Sequence, residues 1–173
     1  MNAAPHSAPV ARALAAGPRR SLVTAEVAGQ LFGIQIDCVQ DIFPIAEVTP
    51  VPLAAAEILG LVAVRGRIVT LIGIRQRLGL QPRATRPGDL AIRIEAGNEP
   101  YALAVDGAGE IVEVAAGSLE PLPVHLHAAW SGLSNGVHRL ASGLLVAIDL
   151  EAMLDVSRPA LSPGRNANRG AFS

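Results

Sequence analysis

The clearest hydrophobic pattern in the chain is a pair of apolar runs, residues 61–64 and 68–74, separated by the polar centre Arg65-Gly66-Arg67. Valine and isoleucine dominate both runs, and β-branched side chains favour strands because their restricted rotamers pack well on a pleated surface. The polar centre is too short for anything but a turn, and Gly66 can adopt a positive φ without steric cost. The pattern therefore predicts a β-hairpin with Arg65 at its tip.

The chain repeats its pattern at two fixed shifts. A shift of 69 residues lays Ser21 to Ile42 on Leu90 to Ile111 without a gap, and a shift of 76 lays Gly60 to Leu78 on Gly136 to Leu154. The second copy is therefore longer by seven residues, which we place in Pro121 to Asn135. The identical pairs are Glu26/Glu95, Asp37/Asp106, Ile42/Ile111, Gly60/Gly136, Ile72/Ile148 and Leu78/Leu154.

A twofold repeat of about 70 residues, with four or five short strands in each copy, predicts an all-β fold. We expect two similar five-stranded antiparallel β-barrels packed side by side around a shared apolar seam, because barrels leave few free strand edges. Short helical turns are predicted at residues 53–59, 75–78, 127–133 and 151–154.

The expected domain spans residues 21–156, with internal repeats at about 21–80 and 90–156. Residues 1–20 are rich in Ala and Pro, and residues 157–173 collect Pro, Gly and Asn. Such compositions do not bury enough apolar surface to fold, so both ends are expected to be disordered tails.

The composition excludes several classes of function. The formal net charge is −1, from 14 basic and 15 acidic residues, so no overall field attracts DNA, RNA or anionic lipid. Nucleic acid is not an expected partner, since three Phe, one Tyr and one Trp provide no platform for stacking bases. The single cysteine, Cys38, is expected to be a small buried hydrophobe and fits a reducing, cytoplasmic compartment. No run of about 18 apolar residues predicts insertion into a membrane.

The sequence offers no convincing reactive site. His125 and His127 form an H-x-H pair, but no Cys or acid at ligand spacing accompanies it, so we expect exposed loop histidines. Cys38 and His138 lack a third group that would orient them as a nucleophile and its base. The serines in Gly/Asn-rich turns, where hydroxyls usually bond the backbone, are Ser131, Ser134 and Ser142. We therefore predict no catalytic, cofactor-binding or metal-binding residues.

What remains is a surface that carries a few charges. Asp41 ends the second strand of the first repeat and Arg65 lies at the hairpin tip of the same repeat. The ordinary interpretation is a pair of solvated rim charges worth well under ~1 kcal/mol. The functional interpretation is a charged rim around an apolar patch that binds another protein. Arg75 and Arg77 are expected to form a solvated helix face.

Five blocks of sequence, in order, resemble the CheW family of chemotaxis coupling proteins. They are FGIQIDCVQDI at 32–42, VTPVP at 48–52, GLVAVRGRIVTLIGIRQRLGL at 60–80, YALAVDGAGEI at 101–111 and GLLVAIDLEAML at 143–154. The resemblance implies two joined five-stranded barrels and a cytoplasmic adaptor that is not an enzyme. It also implies a role in two-component signal transduction, in which the adaptor couples chemoreceptor cytoplasmic tips to the regulatory domain of the histidine kinase CheA.

The same resemblance implies partner-binding residues. Arg65 and Gly66 fall on the family's V/L-R-G motif, and Asp41 falls on its usual acidic residue. Val39 and Gly60 fall on positions implicated in partner contact. We interpret Asp41 and Arg65 as a linked pair that shapes the receptor-facing groove.

Two positions depart from the family pattern. Gly73 replaces an acid that the second repeat keeps as Asp149, and Ala63 replaces a usual asparagine. Two alternatives therefore stay open. One is a diverged CheW paralogue in a pilus-type or second-messenger chemosensory pathway, and the other is a metal- or small-ligand-binding double barrel that uses residues 121–135.

Overall fold

The structure, a computed structural model, describes residues 17–157, in which the chain forms ten strands and three short α-helices. The strands are β1 Arg19–Val27, β2 Gln30–Gln35, β3 Val39–Pro44, β4 Ile58–Val64, β5 Arg67–Gly73, β6 Leu90–Ala96, β7 Glu99–Val105, β8 Gly107–Ala115, β9 Ser134–Leu140 and β10 Gly143–Ile148. The helices are α1 Ile74–Arg77, α2 Val124–Trp130 and α3 Leu150–Leu154. Among these helices, none has the length and apolar character needed to cross a bilayer.

The strands form two sheets that are related by the internal repeat. Sheet 1 has the order β8-β1-β2-β10-β9, and sheet 2 has the order β3-β6-β7-β5-β4. Replacing each strand of sheet 1 by its counterpart in the other repeat gives the order of sheet 2. Each sheet nevertheless contains strands from both repeats, so neither repeat forms a sheet by itself.

The predicted all-β class with two five-stranded units is confirmed. Each unit differs from a purely antiparallel barrel, because the exchange of strands places β2 beside β10, and β5 beside β7, in parallel pairs. Within residues 17–157 no ladder joins the two edge strands of either sheet. The units are therefore mixed sheets whose strand order stays open.

Alternating apolar side chains build one large core between the sheets and a smaller core on the other face of each sheet. Alternation along a strand sends successive side chains to opposite faces, so both faces of these sheets are partly apolar. The core between the sheets corresponds to the predicted shared seam. It includes Phe32, Ile34 and Val146 from sheet 1 with Ile72, Ile92 and Leu103 from sheet 2. The smaller cores include Val62, Val69 and Leu71 in sheet 2 and Leu22, Val114 and Leu145 in sheet 1.

Two equivalent bridges locate the extra residues of the second repeat. Thr49 pairs with Leu61, and Glu120 pairs with Val137. Leu61 and Val137 are 76 residues apart, whereas Thr49 and Glu120 are 71 apart, so two of the seven extra residues precede Glu120 and five follow it. Placing all seven in Pro121 to Asn135 was therefore partly wrong.

The predicted helical turns are correct where the repeat equivalence is strong. Helices α1 and α3 lie within about one residue of their predicted positions, and Gly79 ends α1 with a φ of +66°. Residues 53–59 form turns and the start of β4 instead of a helix, and the helix predicted at 127–133 begins earlier, as α2.

The predicted tails lie mostly outside the described residues, at 1–16 and 158–173. Strand β1 begins at Arg19, which is inside the segment expected to be tail. Arg19 and Arg20 pair there with Ala115 and Val114 of β8.

Arg77 is buried, so the prediction of a solvated face for this residue was wrong. Only 1% of the surface of Arg77 is exposed. Its guanidinium donates hydrogen bonds to the carbonyl oxygens of Met153, Ala152 and Asp155, at 3.1, 2.8 and 2.7 Å. Carbonyls at a helix end have no partner within the helix, which is why a buried arginine is stable there. Arg77 therefore joins α1 to α3, its counterpart in the other repeat.

Candidate functional site

Asp41 and Arg65 form an ion pair at one end of sheet 2. Arg65 Nε lies 3.0 Å from Asp41 Oδ2. The two central residues of the β4–β5 turn are Arg65 and Gly66, with φ of +49° and +77°, which is the geometry of a type I′ hairpin turn. Arg67, which was predicted to lie in the turn, begins β5. The predicted hairpin with Arg65 at its tip is present.

The ion pair is asymmetric in its exposure to solvent. The Arg65 side chain is 74% exposed, whereas the Asp41 side chain is 21% exposed and its Oδ1 accepts a hydrogen bond from the Ile42 amide at 2.9 Å. Asp41 follows a β-bulge in β3, between Val39 and Asp41. Bulges re-aim side chains at sheet edges, and this one lies on an edge strand. The carboxylate is therefore held by the backbone, and the arginine is held mainly by the carboxylate.

A second arginine that sequence reasoning missed lies beside this pair. Arg93 of β6 is the cross-strand partner of Asp41, and Ala102 of β7 is its partner on the other side. Arg93 Nε is buried and has no hydrogen-bond partner among residues 17–157. The sequence carries no distinct signal for this arginine, because Arg93 follows the ordinary alternation of apolar and polar residues along β6. Asp41 thus forms an ion pair with Arg65 and lies across the β3–β6 ladder from a second cation, Arg93.

The Asp41–Arg65 pair has no counterpart in the other repeat. The equivalent positions are Glu110 of β8 and Ala141 of the β9–β10 turn, so the second repeat keeps the acid and lacks the arginine. The general fold, which the two repeats share, therefore does not require the pair. A feature present in one repeat alone is a candidate for function.

The structure places Gly60 away from the ion pair. Gly60 lies near the start of β4 and Arg65 follows its end, which separates them by roughly 17 Å at the rise of a strand. Gly60 has a φ of +146°, and a Cβ there would press on the Thr49 carbonyl and lie 2.7 Å from Val48 Cγ1. Gly136, its repeat counterpart, meets the Glu120 carbonyl in the same way. Internal packing therefore explains the glycine at both positions.

Val39 lies two residues before Asp41 and is only partly buried, against the core between the sheets. The structure thus brings Val39, Asp41, Arg65 and Gly66 to one part of sheet 2. Exposed apolar surface accompanies them: Ile68 is 71% exposed and pairs across the hairpin with Ala63, which is also exposed. We call Val39, Asp41, Ala63, Arg65, Gly66 and Ile68 the hairpin surface.

A second charged cluster lies around Asp106. Arg75 Nη2 lies 2.6 Å from its carboxylate and Arg83 Nη2 lies 3.6 Å from it. The carboxylate also accepts a hydrogen bond from the Ala28 amide at 2.7 Å. Partial burial raises the pKa of Asp106, but the hydrogen bonds from Arg75 and Ala28 and the charges of both arginines outweigh it, so the pKa lies below its usual value. The cluster therefore holds a fully ionised carboxylate near neutral pH and has no group poised to exchange a proton.

The reactive pairs considered from sequence are not assembled. His125 and His127 are exposed, on α2 instead of a loop, where residues two apart point in different directions. No group of three His, Cys, Asp or Glu side chains within residues 17–157 is arranged to hold a metal ion. His138 Nδ1 lies 2.9 Å from Ser118 Oγ, whose own proton goes to the Ala115 carbonyl, so His138 donates to Ser118. Burial lowers the pKa of His138 more than Ser118 raises it.

Comparison with known proteins agrees with this geometry. The model of the CheW-like domain family matches residues 21–158. The chemotaxis protein CheW of Treponema pallidum (strain Nichols) is 22% identical over 138 residues, which cover 76% of this chain and 80% of that protein. CheW of Rhizobium meliloti (strain 1021) is 23% identical over 134 residues, which cover 78% and 86%. CheW of Klebsiella aerogenes is 25% identical over 130 residues, which cover 75% and 78%.

Among solved structures, the crystal structure of the scaffolding protein TtCheW from Thermoanaerobacter tengcongensis superposes with a TM-score of 0.70. The identity is 22%, and the match covers 79% of this chain and 92% of that one. At this identity the superposition shows a shared fold. The family match over residues 21–158, on a fold of two exchanged five-stranded sheets, establishes that the chain belongs to the CheW-like domain family, the family of chemotaxis coupling adaptors.

Proposed function

We propose that the protein is a non-catalytic, cytoplasmic adaptor that couples the cytoplasmic tips of chemoreceptors to the regulatory domain of the histidine kinase CheA. The observation that carries the proposal is the Asp41–Arg65 ion pair, which occurs in one repeat only and lies beside exposed apolar side chains. Protein interfaces commonly combine an apolar centre with a charged rim. The hairpin surface has that composition.

The charges of the hairpin surface suit a role in specificity. Rim charges mainly set which partner binds and how fast it associates, whereas buried apolar contacts supply most of the affinity. Ile68 and Ala63 provide the apolar part, and the exposed guanidinium of Arg65 provides a donor for an acidic group on the partner. We infer that Asp41 orients this donor.

A charge-reversal cycle on the adaptor tests the proposal. Asp41→Arg and Arg65→Asp should each weaken binding to purified CheA regulatory domain or to a receptor tip by about tenfold, which corresponds to about 1.4 kcal/mol. The double variant should recover part of the loss, since the pair is restored in reverse. The matched control is the Arg19–Glu113 ion pair of sheet 1, whose atoms lie 3.2 Å apart and whose two side chains are both exposed. Reversing that pair should leave binding unchanged.

If the Arg19–Glu113 and Asp41–Arg65 variants lose binding to the same extent, the hairpin surface has no special role. If no receptor or kinase binds the unaltered protein, coupling itself is wrong.

A diverged CheW paralogue with other partners is the second candidate. Ala63 is exposed on the hairpin surface, so this surface lacks the polar side chain that the family pattern has at that position. Gly73 is less informative, because it lies at the start of α1 and the Gln76 side chain fills the space that a Cβ would take. Co-purification from the native cell, with mass spectrometry of the captured receptor and kinase, separates the two candidates.

A further inference from the structure

A small pocket on sheet 1 has partly polar walls. Its polar lining residues are Arg20 of β1, Gln35 of β2, and Asn135 and His138 of β9. None of the described residues that line it is an acid. Its volume is about 50 Å³. A water molecule needs roughly 10–15 Å³ of such space, so the pocket has room for a few waters or one compact ion. We call it the sheet 1 pocket.

The polar lining is absent from the other repeat. The counterpart positions, at the shifts of 69 and 76, are Gln35/Ala104, Arg20/Asp89, His138/Val62 and Asn135/Leu59. In sheet 2, Val62, Ala104 and Leu59 belong to the smaller apolar core or pack against it. Asp89 is paired there with Arg83. The shared fold therefore builds an apolar core at this place, and the polar side chains of sheet 1 are an addition that folding does not require.

His138 brings a buried ring nitrogen without a partner to the sheet 1 pocket. The residue is only 5% exposed. Nδ1 donates to Ser118 Oγ, and Nε2 makes no hydrogen bond with any of residues 17–157. Among those residues, Arg93 Nε is the one side-chain atom that is sealed from solvent without a partner, so His138 Nε2 stays accessible where the ring lines the pocket.

The ring of His138 faces a charge of its own sign. Burial lowers the pKa of His138, the contact with Ser118 raises it less, and the charge of Arg20 lowers it further. At neutral pH the ring is therefore uncharged, and Nε2 is a hydrogen-bond acceptor. An anion between Arg20 and His138 would reverse this preference, because its charge favours the protonated ring and Nε2–H then donates to it.

The acids on the elements around the sheet 1 pocket do not supply that anion. Within residues 17–157, Glu113 of β8 pairs with Arg19, and Glu120 pairs with Arg139. Asp149, which follows β10, accepts from the Ala152 amide, and Asp37, which follows β2, is exposed. None of these four acids lines the pocket. A negative charge there must therefore come from outside the described part of the chain.

We propose that the sheet 1 pocket binds a compact oxyanion between the guanidinium of Arg20 and a protonated Nε2 of His138, beside the amide groups of Gln35 and Asn135. Binding takes up one proton at Nε2, so the oxyanion binds more tightly as pH falls. Two sources offer this chemistry: a free inorganic ion, and the carboxylate of an acidic side chain on a bound protein. The pocket belongs to sheet 1, whereas the hairpin surface belongs to sheet 2, so the inference stands apart from the adaptor role.

Titration of the histidine rings by NMR tests the site in the full chain. Compared with chloride at equal ionic strength, roughly 50 mM sulfate should raise the titration midpoint of His138 by about half a pH unit or more, a gain of roughly threefold in proton affinity. His125 and His127, which are exposed on α2, are internal controls whose midpoints should be the same in both salts. His138→Gln assigns the signal. An equal response of the three rings would overturn the proposal.

Two adjacent arginines provide matched variants. Arg20→Gln should raise the midpoint of His138 in chloride, because a repelling charge is gone, and should abolish the further rise in sulfate. Arg19→Gln should change neither, because Arg19 pairs with Glu113 and does not line the pocket. Amide signals dispersed as in the unaltered protein verify that both variants are folded. A sulfate response that survives Arg20→Gln, or equal behaviour of the two variants, contradicts the site.

The same titration in complex with purified CheA regulatory domain or receptor tip separates the two sources. If an acidic side chain of the partner fills the pocket, complex formation alone raises the midpoint of His138 and sulfate adds nothing. If the occupant is a free ion, the complex responds to sulfate as the free protein does. Loss of the sulfate response without a rise in midpoint would mean that the pocket is closed in the complex and would overturn the proposal. If neither partner binds, the adaptor role fails, and the titration of the free protein still decides the site.

Discussion

Arg65 and Asp41 connect the two edge strands of sheet 2, since Arg65 follows β4 and Asp41 lies on β3 at the opposite end of the strand order. The 3.0 Å contact therefore links strands that no backbone ladder joins in the described part of the chain. An ion pair at this position closes the sheet on itself more loosely than a ladder would, because side chains reorient more easily than paired backbones. The hairpin surface thus lies where the two edge strands of sheet 2 are linked by side chains and not by a backbone ladder.

Removing either member of this pair should have unequal effects on stability. Asp41→Asn should lower the free energy of unfolding by about 1–2 kcal/mol, because it leaves Arg93, with its buried Nε, without the nearby carboxylate. Arg65→Gln should cost less than ~0.5 kcal/mol, since its side chain is mostly exposed. Urea unfolding measures both. Equal costs would mean that Arg93 is not balanced by Asp41, and Arg93→Met in the Asp41→Asn background should recover stability if it is.

The two buried glycines that precede Leu61 and Val137, Gly60 and Gly136, should be the least replaceable in the described strands. Gly60→Ala and Gly136→Ala each combine a positive φ with a Cβ pressed against a backbone carbonyl, so each should destabilise the protein by about 2–4 kcal/mol. Gly117→Ala, where a Cβ would meet nothing within 4 Å, is the matched control and should change stability by less than ~0.5 kcal/mol.

The same two variants also test the partner-binding role predicted for Gly60. Binding should be compared under conditions where the Gly60→Ala variant is folded by circular dichroism. Unchanged affinity of the folded variant would show that Gly60 serves packing alone, and a loss confined to Gly60→Ala, with Gly136→Ala normal, would support partner contact.

The repeat and the hairpin could be predicted from sequence because both depend on local patterns. The two apolar runs on either side of Arg65 and Gly66, rich in β-branched residues, specify two strands and a tight turn whatever lies beside them. The exchange of strands between repeats could not be predicted in this way. The local pattern of β2 does not say which strand lies on the side away from β1, and the strand found there, β10, lies more than a hundred residues later. Pairing over such distances leaves no mark in the local pattern.

The missed charged residues have a similar explanation. Arg77 lies in a four-residue helix, which is too short for a hydrophobic period to show which side is buried. Its acceptors are backbone carbonyls near residue 153, and backbone atoms leave no signature in a sequence. Arg93 follows the ordinary apolar–polar alternation of β6, so its relation to Asp41 emerges only from the register of β3 and β6.

Arg77 should contribute more to stability than any exposed arginine. Arg77→Met leaves the carbonyls of Ala152, Met153 and Asp155 without their donor in a buried setting, so the free energy of unfolding should fall by about 3 kcal/mol. Arg77→Lys should recover only part of this, because an ammonium group cannot reproduce the planar arrangement of donors. Arg19→Gln, which removes an exposed arginine, is the control and should cost less than ~0.5 kcal/mol. A small loss in Arg77→Met would contradict the joining of α1 to α3 by this residue.

Asp106 should make stability depend on acid. The pKa of Asp106 is lowered in the folded protein, so its contribution to stability is present above the unfolded pKa, about 3.9 for aspartate, and is lost as pH falls through the lower folded pKa. Asp106→Asn should therefore be less stable than the unaltered protein by about 1–3 kcal/mol at pH 7, given its hydrogen bonds to Arg75 and Ala28. The difference should shrink as pH falls below about 4. Urea midpoints between pH 7 and pH 2.5 measure it.

In the Arg75→Gln background the same substitution should cost less at pH 7, because the strongest donor is already gone. A pH-independent difference would show that Asp106 stabilises the fold by its shape and hydrogen bonds, without a contribution from its charge.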